Sequence, residues 1–314
     1  MSTSPSPSSV THGPFERFVG RVRGDEPGPT LLLIGGMHGN EPGGVIAARR
    51  VIAALREQKI PLRGEVVALA GNTRALNAGK RYLARDFNRL WSVERMKALD
   101  TGALPRESDP EADEQRELRA VIDEVFASAR GPVYFIDLHT TSAEGIPFGL
   151  VADTLKQRAF AAHFPLPVIL GLEEQVDGVL VEWLTARGCV TLVCEGGQHD
   201  NPAAWDHLQA TCWLGLEAAG LVERKDIPAF ERWYARLDAA RSELPRVMEV
   251  TLRHAIAPED RFAMEPGWAS FLPVRVCPAS RATASMMRNG ASVFALRSPA
   301  RAIQSMRKLW SDSL

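Results

Sequence analysis

The stretch Gly35-Gly-Met-His38-Gly-Asn-Glu41-Pro-Gly-Gly sets an imidazole and a carboxylate three residues apart. Donors of those two kinds at that spacing can reach one ion, and zinc accepts both at about 2.0 to 2.2 Å. A catalytic zinc site also needs a third protein ligand and a position left open for water. His139, in Asp137-Leu-His139-Thr-Thr, is the candidate for that third ligand. The competing reading of His38 and Glu41 is an ordinary solvated turn. The glycines Gly35, Gly36, Gly39, Gly43 and Gly44 weigh against it, because they let the backbone bend sharply or approach closely around the pair. Asp137 falls two residues before His139, so a regular strand puts both on one face. There it either orients the histidine or is a buried carboxylate paired elsewhere.

A metal and a water still need a base. Glu195, in Val193-Cys-Glu195-Gly-Gly, ends an otherwise apolar run. A carboxylate there is either desolvated, with a raised pKa suited to proton transfer, or a helix cap or salt-bridge partner. Arg81, Arg85 and Arg89 recur every four residues in Arg81-Tyr-Leu-Ala-Arg85-Asp-Phe-Asn88-Arg89. They are a basic helix face, or, with Asn88, donors for the carboxylate of an anionic substrate. Arg187, Arg297 and Arg301 are further possible carboxylate partners. Other chemistries fail on spacing. The glycine-rich loop lacks the G-x-G-x-x-G order, Gly79-Lys80 is followed by Arg81 where a P-loop needs Ser or Thr, and no G-x-S-x-G elbow occurs.

These residues need a frame. Leu31-Leu-Leu-Ile-Gly35, Glu65-Val-Val-Ala-Leu-Ala70, Val133-Tyr-Phe-Ile-Asp-Leu138 and Cys189-Val-Thr-Leu-Val-Cys-Glu195 read as buried strands. Each candidate ligand or base then sits at or just beyond a strand end, where α/β sheets collect ligands. A helix is expected from Asp109-Pro110, with Leu118, Val121, Ile122, Val125 and Phe126 on one face. Another opens at Asn201-Pro202, turns Trp205, Leu208 and Cys212 inward and stops near Gly220. From about residue 245 the pattern changes to alternation, with Met248, Val250 and Leu252 against Glu249, Thr251 and Arg253. The expected organisation is a tail over 1–12, an α/β unit over 13–225 and a smaller β-rich unit over 226–314.

Composition narrows the partners. Lys plus Arg number 37 against 38 for Asp plus Glu, a net charge of -1, so there is no basic excess for a nucleic-acid backbone. The longest apolar runs fall far short of the ~20 residues of a membrane helix. Met1 to Val10 is a Ser/Pro/Thr string without the basic and apolar regions of a secretory signal. Cys189, Cys194, Cys212 and Cys277 form no C-x-x-C pair and read as buried thiols of a cytoplasmic protein.

Taken in order, Gly35-Gly-Met-His38-Gly-Asn-Glu41, Asp86-Phe-Asn88-Arg89, Asp137-Leu-His139 and Glu195-Gly-Gly resemble the succinylglutamate desuccinylase/aspartoacylase family of zinc carboxypeptidase-like enzymes. The resemblance implies a zinc carboxypeptidase-like mixed sheet flanked by helices, followed by a β-rich C-terminal domain that narrows the channel. It implies one Zn2+ per chain on His38, Glu41 and His139, with Glu195 as general base. Arg81 would polarise the scissile carbonyl, while Asn88 and Arg89 would hold a substrate carboxylate. The implied activity is hydrolysis of the amide bond of an N-acyl amino acid, a linear amide. Its rivals are a zinc carboxypeptidase acting on small peptides or cell-wall fragments, and a non-catalytic metal- or ligand-binding protein on the same scaffold. Phe87 stands where the family commonly has Leu, and Met37 where Thr is frequent. Aspartoacylases also use a tyrosine from the C-terminal domain, whereas Tyr82, Tyr134 and Tyr234 all precede residue 245 here. The hydrolytic core is better kept than the specificity pocket.

Overall fold

Leu31 to Ile34 contain no polar side chain, so a strand built from them must be covered on both faces. In the computed structural model it is: Leu31 and Leu33 enter one apolar core, Leu32 and Ile34 the other, and all four are fully buried. The structure describes residues 14–104, 109–172, 175–241, 243–255, 269–271, 273–275, 283–289 and 292–297. The expected tail over 1–12, Cys277 and Arg301 lie outside these described residues.

The strands are β1 (Phe18–Arg23), β2 (Thr30–Gly35), β3 (Glu65–Ala70), β4 (Val133–Thr141), β5 (Phe148–Val151), β6 (Val168–Leu170), β7 (Val190–Gln198), β8 (Val247–Ala255), β9 (Pro273–Arg275), β10 (Thr283–Asn289) and β11 (Ser292–Arg297). They form one mixed sheet in the order β1-β3-β2-β4-β7-β5-β6-β8-β11-β10-β9. Strands β3, β2, β4 and β7 run parallel, while β1 and β5 join them antiparallel. Beyond β5, strands β6 and β8 continue in parallel, and β11, β10 and β9 close the far side antiparallel. Arg297 ends β11.

The helices are α1 (Gly43–Glu57), α2 (Thr73–Ala78), α3 (Val93–Asp100), α4 (Pro110–Ser128), α5 (Leu155–Ala161), α6 (Leu180–Ala186), α7 (Pro202–Ala218) and α8 (Phe230–Arg241). Helices α1, α5, α7 and α8 cover the Leu31 face, and α3, α4 and α6 cover the Leu32 face. As Asp109-Pro110 predicts, Asp109 caps α4 by accepting from the Ala112 amide, and Leu118, Ile122 and Val125 are buried. Asn201 caps α7 in the same way, accepting from the Ala203 amide; Leu208 and Cys212 are buried, but Trp205 is only half-buried.

The structure departs from the sequence reading around the three arginines. Residues 79–86 are irregular, and only a single 3-10 turn, Phe87–Arg89, follows. Gly79 ends α2 in the left-handed conformation, so no helix runs on to give a continuous basic face. Strands β5 and β6 have only four and three residues, too short for a periodic pattern to announce them. Among the described residues no helix is long and apolar enough to cross a membrane.

Candidate active site

The chain leaves β2 toward β3 on one side of the sheet and β4 lies on the other, so strand order reverses between β2 and β4. Open α/β sheets form their ligand crevice at such a point, beyond the carboxyl ends of the strands. The loop after β2 carries His38 and Glu41, β4 carries His139 near its end, and β7 presents Glu195 in register with His139. Gly36 opens the loop at φ 71°, and α1 starts so near the sheet that a Cβ on Gly44 would lie 2.5 Å from the Leu138 carbonyl oxygen. Glu41 N–H donates to His38 O at 3.0 Å, and this tight turn brings the two side chains together.

Glu41 is the hub. Its Oε1 lies 2.8 Å from His38 Nδ1, its Oε2 lies 3.0 Å from His139 Nδ1, and Oε2 also accepts the Thr140 amide at 3.1 Å. The ligand atoms of all three side chains fall within 4.8 Å of one another, and all three residues are buried. Each ring turns its other nitrogen to an aspartate: His38 Nε2 lies 3.1 Å from Asp86 Oδ1, and His139 Nε2 lies 3.1 Å from Asp137 Oδ2. At Asp86 the contact is a hydrogen bond, and an outer carboxylate bonded to one ring nitrogen fixes the ring and directs the opposite lone pair inward, whereas Asp137 faces His139 through charge alone. Two imidazoles among Glu41, Asp86 and Asp137 make a donor set with surplus negative charge, which fits a divalent cation such as zinc.

The titration directions express the same demand for positive charge. Burial opposes protonation of His139, yet Asp137 and Glu41 overcome it and hold its pKa well above the usual imidazole value. His38 is raised as well, burial being outweighed by Glu41 and Asp86. Glu41 is held well below the ordinary carboxylate range, because the two rings outweigh its burial. Asp86 is lowered too, its desolvation offset by His38, Arg81 and Arg89.

Glu195 behaves in the opposite way. Burial, helped by Glu41 and Asp137 and opposed by His139 and His38, pushes its pKa up to about 7. Its Oε2 is buried without a hydrogen-bond partner. Arg81 reaches the cluster from the rim: Nη2 donates to Asp86 Oδ2 at 3.0 Å, Nη2 lies 2.8 Å from His38 Nε2, and Nη1 lies 3.5 Å from Glu41 Oε1. Phe87 is fully buried and pins the 3-10 turn, so Asp86 and Asn88 flank it on the cluster side. Asn88 Oδ1 accepts the Leu180 amide at the start of α6 at 3.0 Å, which leaves Nδ2 3.4 Å from His139 Nε2. Arg89 Nη1 donates to Asn88 O at 2.6 Å, and burial lowers its pKa.

Residues 27–194, more than half of the chain, match the succinylglutamate desuccinylase/aspartoacylase catalytic domain. The chain belongs to that family. A succinylglutamate desuccinylase of Burkholderia thailandensis is 27% identical over 243 residues, which cover 73% of this chain and 58% of that protein. One from Burkholderia pseudomallei is 26% identical over 186 residues, 55% of this chain and 45% of the relative. The chain thus spans about half the length of the curated relatives it matches. Among solved structures, the succinylglutamate desuccinylase of Chromobacterium violaceum superposes with a TM-score of 0.62 at 17% identity, covering 89% of each chain. That of Vibrio cholerae gives 0.59 at 14% identity over 87% of this chain and 82% of its own. These likenesses establish the fold, the mixed sheet flanked by helices that the motifs imply.

At one end of this desuccinylase/aspartoacylase domain the structure brings seven of the side chains singled out from the sequence, His38, Glu41, Arg81, Asn88, Arg89, His139 and Glu195, into one neighbourhood. Arg187 lies elsewhere. It pairs with Asp123 at 2.6 Å and stacks on Phe126 and Trp183. Two neighbours of the cluster had no signal of their own. Asp86 was legible only as part of a motif, and its pairing with His38 depends on the irregular path of residues 79–86. His199, just past β7, lies with Nδ1 2.7 Å from Thr140 Oγ1 and Nε2 3.5 Å from Asn40 Nδ2. Only the fold brings it beside the loop of β2.

Proposed function

We propose that this protein is a zinc-dependent deacylase that hydrolyses the amide bond of an N-acyl amino acid. The observation that carries the reading is the convergence of His38, Glu41 and His139, from two separate strand ends, beside a Glu195 oxygen without a hydrogen-bond partner among the described residues. His38, Glu41 and His139 would hold the ion. When bound, zinc supplies Lewis acidity and a water that is acidic near neutral pH.

The chain's own groups account for the rest. Glu195, with a pKa near 7, takes a proton from the attacking water and returns it to the departing amine. Arg81 faces the negative charge that develops on the carbonyl oxygen; one preorganised donor of this kind is worth about 3 to 4 kcal/mol. Asn88 Nδ2 and Arg89 hold the substrate carboxylate and set the carbonyl in line with the water. Asp86 keeps the His38 ring oriented, and Asp137 faces His139 through charge. The Burkholderia thailandensis relative, named a succinylglutamate desuccinylase, supports an acylated amino acid as the substrate class.

The test is elemental analysis of the purified protein followed by a panel of N-acetyl and N-succinyl amino acids and short peptides. Stoichiometric zinc with turnover confined to N-acyl amino acids is the expected result. Preference for tripeptides would replace this reading with a peptidase, and bound zinc without hydrolysis across the panel with a binding protein.

A further inference from the structure

We infer that Glu111, on the first turn of α4 and outside the ligand cluster, is a positioning residue that sets Arg81 over the site. It is fully buried. Its carboxylate accepts three consecutive backbone amides, from Leu83 at 2.7 Å, Ala84 at 3.0 Å and Arg85 at 3.2 Å. These amides lie in the irregular stretch between Arg81 and Asp86, which has no helical or strand partner of its own. Leu83, Ala84 and Arg85 are themselves exposed, but their amides turn inward to a fully buried carboxylate, and three charge-assisted bonds in succession fix the path of that stretch.

The same carboxylate reaches the loop that carries the metal-binding candidates. Glu111 Oε1 accepts from Asn72 Nδ2 at 3.3 Å, and Asn72 N–H donates to Gly36 O at 2.8 Å. Asn72 Oδ1 in turn caps α2 by accepting the Ala75 amide. On the far side, Arg81 O accepts the Gly39 amide at 3.0 Å. The backbone around Arg81 is therefore held at two points, one within the loop between His38 and Glu41, the other at Glu111. The guanidinium that contacts Asp86 and lies beside His38 hangs from a segment clamped between them. Because α4 opens with its own cap, Asp109, Glu111 is free to serve this loop instead of its own helix end.

The role of Arg81 rests on the deacylase reading; the anchoring does not, and the experiment separates the two. Hydrogen exchange on the full chain should show the amides of Leu83, Ala84 and Arg85 strongly protected in the wild type. Protection should fall at least tenfold in Glu111→Gln and by less in Glu111→Asp, while Arg81→Ala should leave it intact. Unprotected amides in the wild type, or unchanged protection in Glu111→Gln, would overturn the inference whether or not the protein is a deacylase. Should Glu111→Gln fail to fold, the wild type and Glu111→Asp decide the same point. With zinc loaded, Glu111→Gln should lose about 10²-fold in kcat/KM on the preferred N-acyl amino acid, at unchanged metal content. In an Arg81→Ala background the same change should cost nothing further. Independent, multiplicative losses would make Glu111 a purely structural residue and overturn its action through Arg81.

Discussion

Two glutamates, one on a helix and one at a strand end, are treated in opposite ways. Glu114, on α4, accepts the amides of Thr73 at 2.9 Å and Arg74 at 3.0 Å, the Thr73 hydroxyl at 2.8 Å and Arg74 Nη1 at 2.7 Å. It is also paired with Arg17. Its pKa is lowered, because these donors and cations outweigh its burial. Glu195, at the end of β7, keeps one buried oxygen without a partner, and its pKa rises to about 7. Burial alone therefore does not mark a reactive acid. A carboxylate supplied with donors and cations is held ionised, whereas Glu195, desolvated, short of a donor and beside other carboxylates, holds its proton more tightly, which is what the proposed base requires.

Substitutions at the two ends of this contrast should fail differently. The largest effect belongs to the cluster beside Glu195: His38→Ala should strip the metal and all measurable turnover, read by elemental analysis and substrate assay. Full metal occupancy in that variant would remove His38 from the ligand set. Glu195→Gln should keep the metal and lose about 10² to 10⁴-fold in kcat, the range for one general acid–base group. Near-normal turnover would erase the distinction from Glu114. Glu114→Ala should do the reverse, costing about 1 to 3 kcal/mol of stability in denaturant unfolding because the Thr73 and Arg74 amides and the Thr73 hydroxyl lose their buried acceptor, while Arg17 and Arg74 keep Glu117. Whatever fraction of it folds should keep most of its kcat.

How much of this was legible before the fold was known differs between the two glutamates. Glu195 could be read as a base or a cap because it interrupts an apolar run just before two glycines, and the four buried strands were set by the same kind of run. Glu111 and Glu114 have the look of ordinary acidic residues in the first turns of a helix, since their partners lie 26 to 97 residues away in sequence. The arginines at 81, 85 and 89 were misleading for the same reason. A four-residue spacing describes a helix face only if the segment is helical, and these backbone amides instead find Glu111. The candidate ligand set was readable because each of its members sits within a few residues of a strand end. Asp86 and His199 were not, because their roles follow from where irregular backbone runs.

The subtlest consequence is a pair of opposite pH dependences in the metal-free protein. Glu195 has a folded pKa raised from 4.5 to about 7, so the stability it contributes is full below the unfolded value and is lost as pH rises toward 7. Glu195→Gln, which mimics the protonated acid, should therefore gain stability relative to the wild type between pH 5 and pH 8. Glu114 has a lowered folded pKa, so its contribution is present above the unfolded value and is lost as pH falls through the folded one. Glu114→Gln should lose ground to the wild type as pH climbs from acid through the usual carboxylate range. Urea unfolding of the chelator-treated proteins across that span reads both slopes. Slopes of the same sign would mean that the fold treats both glutamates alike, and Glu195 would lose its claim to be the base.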